Sequence, residues 1–229
     1  MHDKATVGFL TIGNSPRPDI MKDIAPVISA CCEIVEIGAL DDLSPDEFSA
    51  VHPTDSESFY VTRAYNGELT VARRWLYNRV AECVNTLEKR GTDVIALLCT
   101  GEFPALQTHR PLLIASNVIK NAVANAYTGI PVAIVIPDEG QREYMALRWE
   151  AAGIKHKLFH CSPYGETEQS NAVCWSISRE PVDFVVLDCM GFSMQMADLF
   201  ERKTGKRVLL PRKLLCDEIL KLTAQSVRG

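Results

Sequence analysis

The sequence predicts an α/β protein built from two pseudo-symmetric lobes, each a mostly parallel sheet covered by helices, with an interlobe cleft. Three observations predict it. Short apolar runs alternate with helix-periodic segments along all 229 residues, the pattern of a helix-covered parallel sheet. A stretch marked by Asp93, Leu97, Cys99 and Gly101 returns in register as Asp183, Leu187, Cys189 and Gly191, which reads as an internal duplication. No low-complexity linker interrupts the chain, so the lobes are expected to join through short crossings. The boundaries are placed at 1–115 plus 212–229 for the first lobe and 116–211 for the second, with the final helix returning to the first.

Residues 7–12 form an apolar strand, followed by the turn Gly13-Asn14-Ser15-Pro16-Arg17. Helical spacing of Ile20, Ile24, Val27 and Ile28 then predicts a helix over 18–30, with Pro18 in its first turn and Asp19 complementing its dipole. Residues 32–37 are a second strand. Ser44-Pro45-Asp46-Glu47 starts a helix with a capping box. Asn66-Gly67 between 59–61 and 69–71 predicts a hairpin. Arg63 lies in it, and a solvent-facing position is weighed above a cleft-facing one. A helix spans 73–90, with Leu76, Val80, Cys83, Val84 and Leu87 on one face and Gly91 as its stop.

The Cys99 strand follows, then a short strand near 111–115 and a helix over 117–127. Residues 131–137 are a buried strand. Asp138, with Gln141 reaching back, is expected to cap the next helix, which Gly153 ends. A strand over 154–159, a helix over 166–178, the Cys189 strand, a helix over 193–204, a strand over 207–210 and a helix over 214–227 complete the chain. Trp75, Trp149 and Trp175 are left open between core and interface positions.

Hydrophobic and charged contents of 47% and 23% are those of a soluble globular protein. A net charge of −5 with scattered basic residues, such as Arg73-Arg74 and Glu201-Arg202-Lys203, argues against a nucleic-acid surface. The N-terminus lacks the pattern of a secretory signal and no run has the length of a membrane span. A cytoplasmic location is therefore expected, with no membrane partner and with reduced thiols. The eight cysteines include no Cys-x-x-Cys spacing, Cys31-Cys32 is a vicinal pair, and His156 and His160-Cys161 have no partner pair. No metal is expected. A homodimer is left open.

The chemistry is expected at strand C-terminal ends, where open α/β sheets place ligands. Two thiols on opposite sides of a bound molecule suit proton transfer, one taking a proton from carbon and the other returning one. A buried cysteine acting as a small hydrophobe is the alternative, and the repeated Cys-x-Gly argues against it. Gly101 and Gly191 would let backbone amides approach the substrate and hold a developing enolate oxygen. The turn 13–17 at a helix start suits an anion, and Arg17 offers a fork for a carboxylate; a plain tight turn with a surface arginine is held equal to this.

These features resemble the aspartate/glutamate/hydantoin racemase superfamily, and within it the AroM family. The AroM likeness rests on Leu10-Thr11-Ile12-Gly13-Asn14-Ser15-Pro16-Arg17-Pro18-Asp19, on the hairpin from Val61-Thr62-Arg63 through Asn66-Gly67 to Val71, and on Leu187-Asp188-Cys189-Met190-Gly191-Phe192. The resemblance implies flavodoxin-like lobes and cofactor-independent proton transfer next to a carboxylate or carbonyl, as in a racemase or epimerase. It implies Cys99 and Cys189 as catalytic residues. For the substrate, a small carboxylate-bearing metabolite such as an amino acid or hydantoin, it implies Gly13, Asn14, Ser15, Arg17, Thr100, Gly101, Met190 and Gly191. Two departures stand out. Met190-Gly191 replaces the Thr-His pair of glutamate racemases, and Asp188 would repel a thiolate at Cys189 if it faced the same site. A one-cysteine decarboxylase or cis–trans isomerase, and a non-catalytic metabolite-binding protein, are the alternatives.

Overall fold

Parallel pairing of short apolar strands builds both lobes. The structure, a computed structural model, describes residues 4–54, 59–65 and 67–226. It divides into Met1–Ile114 with Glu218–Gly229, and Ala115–Asp217. The first lobe contains β1 (Ala5–Thr11), α1 (Pro18–Ile28), β2 (Cys32–Gly38), α2 (Pro45–Ala50), β3 (Phe59–Ala64), β4 (Gly67–Ala72), α3 (Arg73–Lys89), β5 (Val94–Leu97) and β6 (Leu112–Ile114). The second contains α4 (Ala115–Ala126), β7 (Val132–Ile136), α5 (Arg142–Ala151), β8 (His156–His160), α6 (Thr167–Ser178), β9 (Val185–Leu187), α7 (Met194–Thr204) and β10 (Val208–Leu209). The last helix, α8 (Pro211–Ser226), contributes its first residues to the second lobe and those from Glu218 onward to the first.

The two sheets have equivalent orders, β2-β1-β5-β6 and β8-β7-β9-β10, and all their pairings are parallel. Their central registers agree: Leu10 pairs with Leu97 and Val135 with Leu187. One residue further on, Leu98 donates its N–H to Leu10 O at 2.8 Å and Asp188 donates to Val135 O at 2.9 Å. The duplicated stretches thus occupy equivalent places. The halves differ after them: β5 runs to β6 through a loop, whereas β9 runs to β10 through α7. The first half also inserts the antiparallel β3–β4 hairpin, closed at Ala64 and Gly67. Asn66 of the expected turn lies outside the described residues.

Apolar stripes decide which helix covers which face. Leu76, Val80, Cys83, Val84 and Leu87 of α3 join Leu10, Ile95 and Leu97 in one core. In the second lobe, side chains alternate across the sheet as a pleat requires. Val185 and Leu187 face a core with Cys174, Ile177 and Phe200, while Phe184 and Val186 face one with Ile119, Met145 and Trp149. The Ser44–Glu47 capping box is formed. Gly91, at φ +79°, ends α3 in a conformation that costs other residues strain.

Several local expectations change, among them a strand expected over 154–159 that spans His156–His160 and a helix expected over 117–127 that spans Ala115–Ala126. Asp138 caps a single 3-10 turn, Glu139–Gln141, by accepting from Gly140 N–H at 2.6 Å, and α5 begins only after it. α8 starts at Pro211, because proline suits a first turn whose N–H needs no partner. α1 stops at Ile28, short of the predicted 30. Trp149 is fully buried, Trp75 packs against the first core, and Trp175 is 61% exposed under the Arg179 guanidinium. Among the described residues no helix is long and apolar enough to cross a membrane.

Candidate active site

Each duplicated cysteine sits just past its strand in a turn of the same shape. Gly101 donates its backbone N–H to Cys99 Sγ at 3.3 Å, and Gly191 donates to Cys189 Sγ at 3.3 Å. An N–H aimed at sulfur favours the thiolate over the thiol. These are the amides expected to hold an enolate oxygen, and the structure directs them to the sulfurs instead. Cys99 is buried at 9% exposure, whereas Cys189 is half-buried.

Neither glycine has room for a side chain. A Cβ on Gly101 would lie 2.3 Å from Tyr60 Cε1, and one on Gly191 would lie 2.7 Å from Pro163 Cγ. In the first lobe, the Tyr60 and Tyr77 hydroxyls both donate to Glu102 O, at 2.5 and 3.1 Å, gripping the loop that follows Cys99. Phe103 stacks on Tyr60 with centroids 5.5 Å apart, and the Arg73 guanidinium lies 4.8 Å from the centre of the Tyr60 ring. Burial, and then the neighbouring Cys99, push the Tyr60 phenol far above its ordinary range, so it remains a donor.

In the second lobe a guanidinium holds the equivalent loop. Arg212, 1% exposed at the start of α8, donates from Nε to Met190 O at 2.7 Å and from Nη2 to Gly191 O at 2.9 Å. Met190 is itself buried. Asp188 does not share a face with Cys189: the pleat turns it to the α5 side. There its carboxylate accepts from Arg148 Nη1 at 3.1 Å and from Trp149 Nε1 at 2.9 Å. The repulsion expected between Asp188 and a Cys189 thiolate is met by this resident guanidinium and by the opposite orientation.

The 13–17 loop is braced by acids of its own lobe. Asp41 accepts from Ser15 N at 2.9 Å, Ser15 Oγ at 2.5 Å and Gly38 N at 2.7 Å. Asn14 donates to Leu40 O and accepts from Tyr65 N. Arg17 places its fork on Asp19, with Nε and Nη2 each at 2.8 Å, and donates to Thr11 Oγ1 at 3.2 Å. Gly13 lets the hairpin pass directly over the loop, since a Cβ there would lie 2.0 Å from Arg63 O. Thr100 is buried beside Cys99 in sequence, at 9% exposure. The first lobe therefore brings the 13–17 loop against the Arg63 carbonyl, and gathers Cys99, Tyr60 and the 101–103 turn.

Sequence reasoning missed Tyr60, Asp41, Arg148 and Arg212. For Tyr60 the signal was the repeated glycine at Gly101, which announces a close neighbour without naming it; for Asp41, Arg148 and Arg212 the repeat gave none. The second lobe also has a cavity of about 320 Å³ lined by Pro163, Gly165, Ser170, Ser193, Met196 and Arg202, among others.

Comparison with solved structures finds the same fold at low sequence identity. The chain resembles arylmalonate decarboxylase in its unliganded form (12% identity, TM-score 0.63, covering 96% of this chain and 93% of that one). It resembles the maleate isomerase of Pseudomonas putida (11%, 0.65, 96% and 92%) and the allantoin racemase of Klebsiella pneumoniae (13%, 0.65, 97% and 89%). Likeness at this identity shows a shared two-lobe fold. Among curated proteins none matches. The family model described as AroM protein matches residues 7–223.

Proposed function

Because this chain belongs to the AroM family, and carries a thiol turn at the equivalent strand end of each half, we propose that it is a cofactor-independent racemase or epimerase. Its substrate in this reading is an amino acid or amino-acid derivative, hydantoins included, and Cys99 and Cys189 are the two acid–base groups. The observation that carries the reading is the pair of matched 3.3 Å contacts from Gly101 and Gly191 to the sulfurs.

The step balances without a cofactor. One thiolate takes the proton from the carbon next to the carboxylate or carbonyl, and the C–H electron pair moves onto oxygen as an enolate. The opposite thiol returns a proton to the other face, and the two sulfurs end with exchanged protonation. The 13–17 loop and Thr100 are assigned to the substrate. A substrate carboxylate reaching Arg17 would take the place of Asp19, exchanging one carboxylate for another on the same fork.

A second reading, in which one thiol carries the reaction, draws on the unequal exposure of the sulfurs: Cys189 is the more open and Cys99 lies in an aromatic surround. Decarboxylation or cis–trans isomerisation would fit it. Incubation in heavy water with aspartate, glutamate, allantoin, simple hydantoins, arylmalonates and maleate, followed by NMR of deuterium at the reacting carbon and of cis–trans conversion, and by the change of optical rotation, tests both. Net racemisation abolished by Cys99→Ala and by Cys189→Ala supports two bases, and turnover that tolerates the loss of one of them supports the second reading. Exchange with none of these compounds, or exchange that survives the double variant, removes the proposal.

A further inference from the structure

A second pair of sulfurs stands apart from both thiol turns. Cys31 and Cys32 are adjacent in the chain, at the start of β2, the edge strand of the first sheet. Their Sγ atoms lie 3.5 Å apart. Cys31 is exposed and Cys32 is buried, and both are free thiols. Cys32 pairs with Ala5 at the beginning of β1, while the Cys99 turn follows the other end of the sheet, where Leu10 pairs with Leu97. Five residues of strand, roughly 16 Å, separate the two levels.

A direct S–S bond is disfavoured here. Neighbouring Cα atoms across a trans peptide are about 3.8 Å apart, and a relaxed disulfide needs about 4.4–6.8 Å. An inserted atom suits the pair better. With bonds of about 2.3 Å, the length of a zinc–thiolate bond, a sulfur separation of 3.5 Å corresponds to an angle of roughly 100° at the bridging atom. That is the angle of a pyramidal trivalent centre carrying a lone pair. A linear two-sulfur ion would require the sulfurs to stand about 4.6 Å apart on the same bond length. Among the described residues no group of three or more His, Cys, Asp and Glu side chains is gathered to hold a metal ion, so a zinc-like ion would lack protein ligands. A centre that brings its own third substituent would not.

We propose that Cys31 and Cys32 form a chelating site for a trivalent, thiophilic metalloid carrying one organic substituent, of the monoorganoarsenic(III) class. Exposed Cys31 condenses first and buried Cys32 closes the chelate. Each thiol gives its proton to an arsenic-bound hydroxyl, two As–O bonds break, two As–S bonds form, and two waters leave. Arsenic stays trivalent, so no oxidant or reductant is needed. Burial and the neighbouring thiol push Cys32 up to about 11. Alkylating agents that require a thiolate are therefore slowed at this residue, while condensation disposes of the proton as water.

Phenylarsine oxide added to the full-length reduced protein tests this, read by intact mass and by counting free thiols. One equivalent should add with loss of water and remove two thiols together. A dithiol should reverse it, and a monothiol in tenfold excess should not. Cys31→Ser, an exposed change that leaves the core untouched, should abolish the adduct, and Cys99→Ser with Cys189→Ser should retain it. An adduct that persists in Cys31→Ser, one that a monothiol removes, or one lost in the Cys99/Cys189 double variant overturns the proposal. So does an oxidised Cys31–Cys32 disulfide forming in place of the adduct. The result is independent of whether the chain proves to be a racemase.

Discussion

Asp188 and Arg148 meet at 3.1 Å with side chains 0% and 1% exposed, one residue before the Cys189 thiol. The equivalent place in the first half is Leu98, buried and apolar. A buried ion pair gains little over an apolar pair of like volume, yet loss of one partner strands a charge. Asp188→Leu alone and Arg148→Met alone should each cost about 3–5 kcal/mol. The double variant should recover most of this, leaving a deficit of about 1 kcal/mol for the Trp149 N–H that has lost its acceptor. Chemical unfolding of the four proteins measures the cycle. Single variants that cost under about 1 kcal/mol, against the 3–5 expected, would show that the pair is not desolvated in solution.

Gly101 and Gly191 carry the same burden against different neighbours. Tyr60 cannot swing away from an added methyl, because its ring is stacked on Phe103 and its hydroxyl is tied to Glu102 O. Gly101→Ala should cost about 1–3 kcal/mol, the usual range for overpacking. In a Tyr60→Ala background the added cost should shrink, since the clash has gone. Gly191→Ala, with its closest approach to Pro163 at 2.7 Å, should be the milder of the two. Unfolding midpoints give the comparison, and equal costs with and without Tyr60 would reject the steric account.

The fold was legible because its determinants are local. Continuous apolar runs, glycine stops such as Gly91 and the Ser44 capping box are written in neighbouring residues. The duplication could be read from Asp93, Leu97, Cys99 and Gly101 returning as Asp183, Leu187, Cys189 and Gly191, and the equivalent registers of the two sheets agree with it. What the sequence hid is which side chain answers each local group. The Arg17 fork is answered by Asp19 only two residues on, a near neighbour that the sequence assigns to the helix dipole. The 13–17 turn looks like an empty anion pocket until Asp41, beyond β2, accepts its donors. Asp188 looked like a hazard to the thiol beside it because chain adjacency says nothing about which face of the sheet a residue takes until the strand is placed.

Burial raises several thiols that the proposed chemistry leaves unused. Cys83 on α3 and Cys174 on α6 are both pushed up to about 11 by burial. In the unfolded chain such a thiol ionises near about 8.5. Below that pH both states hold the proton and stability is at its full value. Between the two values the unfolded state alone gives it up, so stability falls as pH rises, by up to about 1.4 kcal/mol per unit for each thiol. Unfolding midpoints at rising pH should show this loss, and Cys83→Ala should flatten the slope even as it lowers the neutral-pH value. A slope unchanged by that substitution would mean that other groups dominate the alkaline limb.

Arg212 grips the second thiol turn in a way that can be separated from general stability. Its donation to Met190 O and Gly191 O holds the two carbonyls back, and the Gly191 N–H is thereby left aimed at Cys189 Sγ. Arg212→Met removes donors from two buried carbonyls, at about 1–3 kcal/mol each, and should also let the turn relax. The second effect has its own readout, the pH dependence of Cys189 alkylation by iodoacetamide. Loss of an N–H aimed at sulfur disfavours the thiolate, so the alkylation profile should move to higher pH. Arg212→Lys keeps a charge but only a single-point donor, and should restore stability more than it restores the profile. Cys99, whose turn is held by Tyr60 and Tyr77, serves as the internal control and should alkylate as before. A profile that stays in place while stability falls would assign Arg212 a purely structural part.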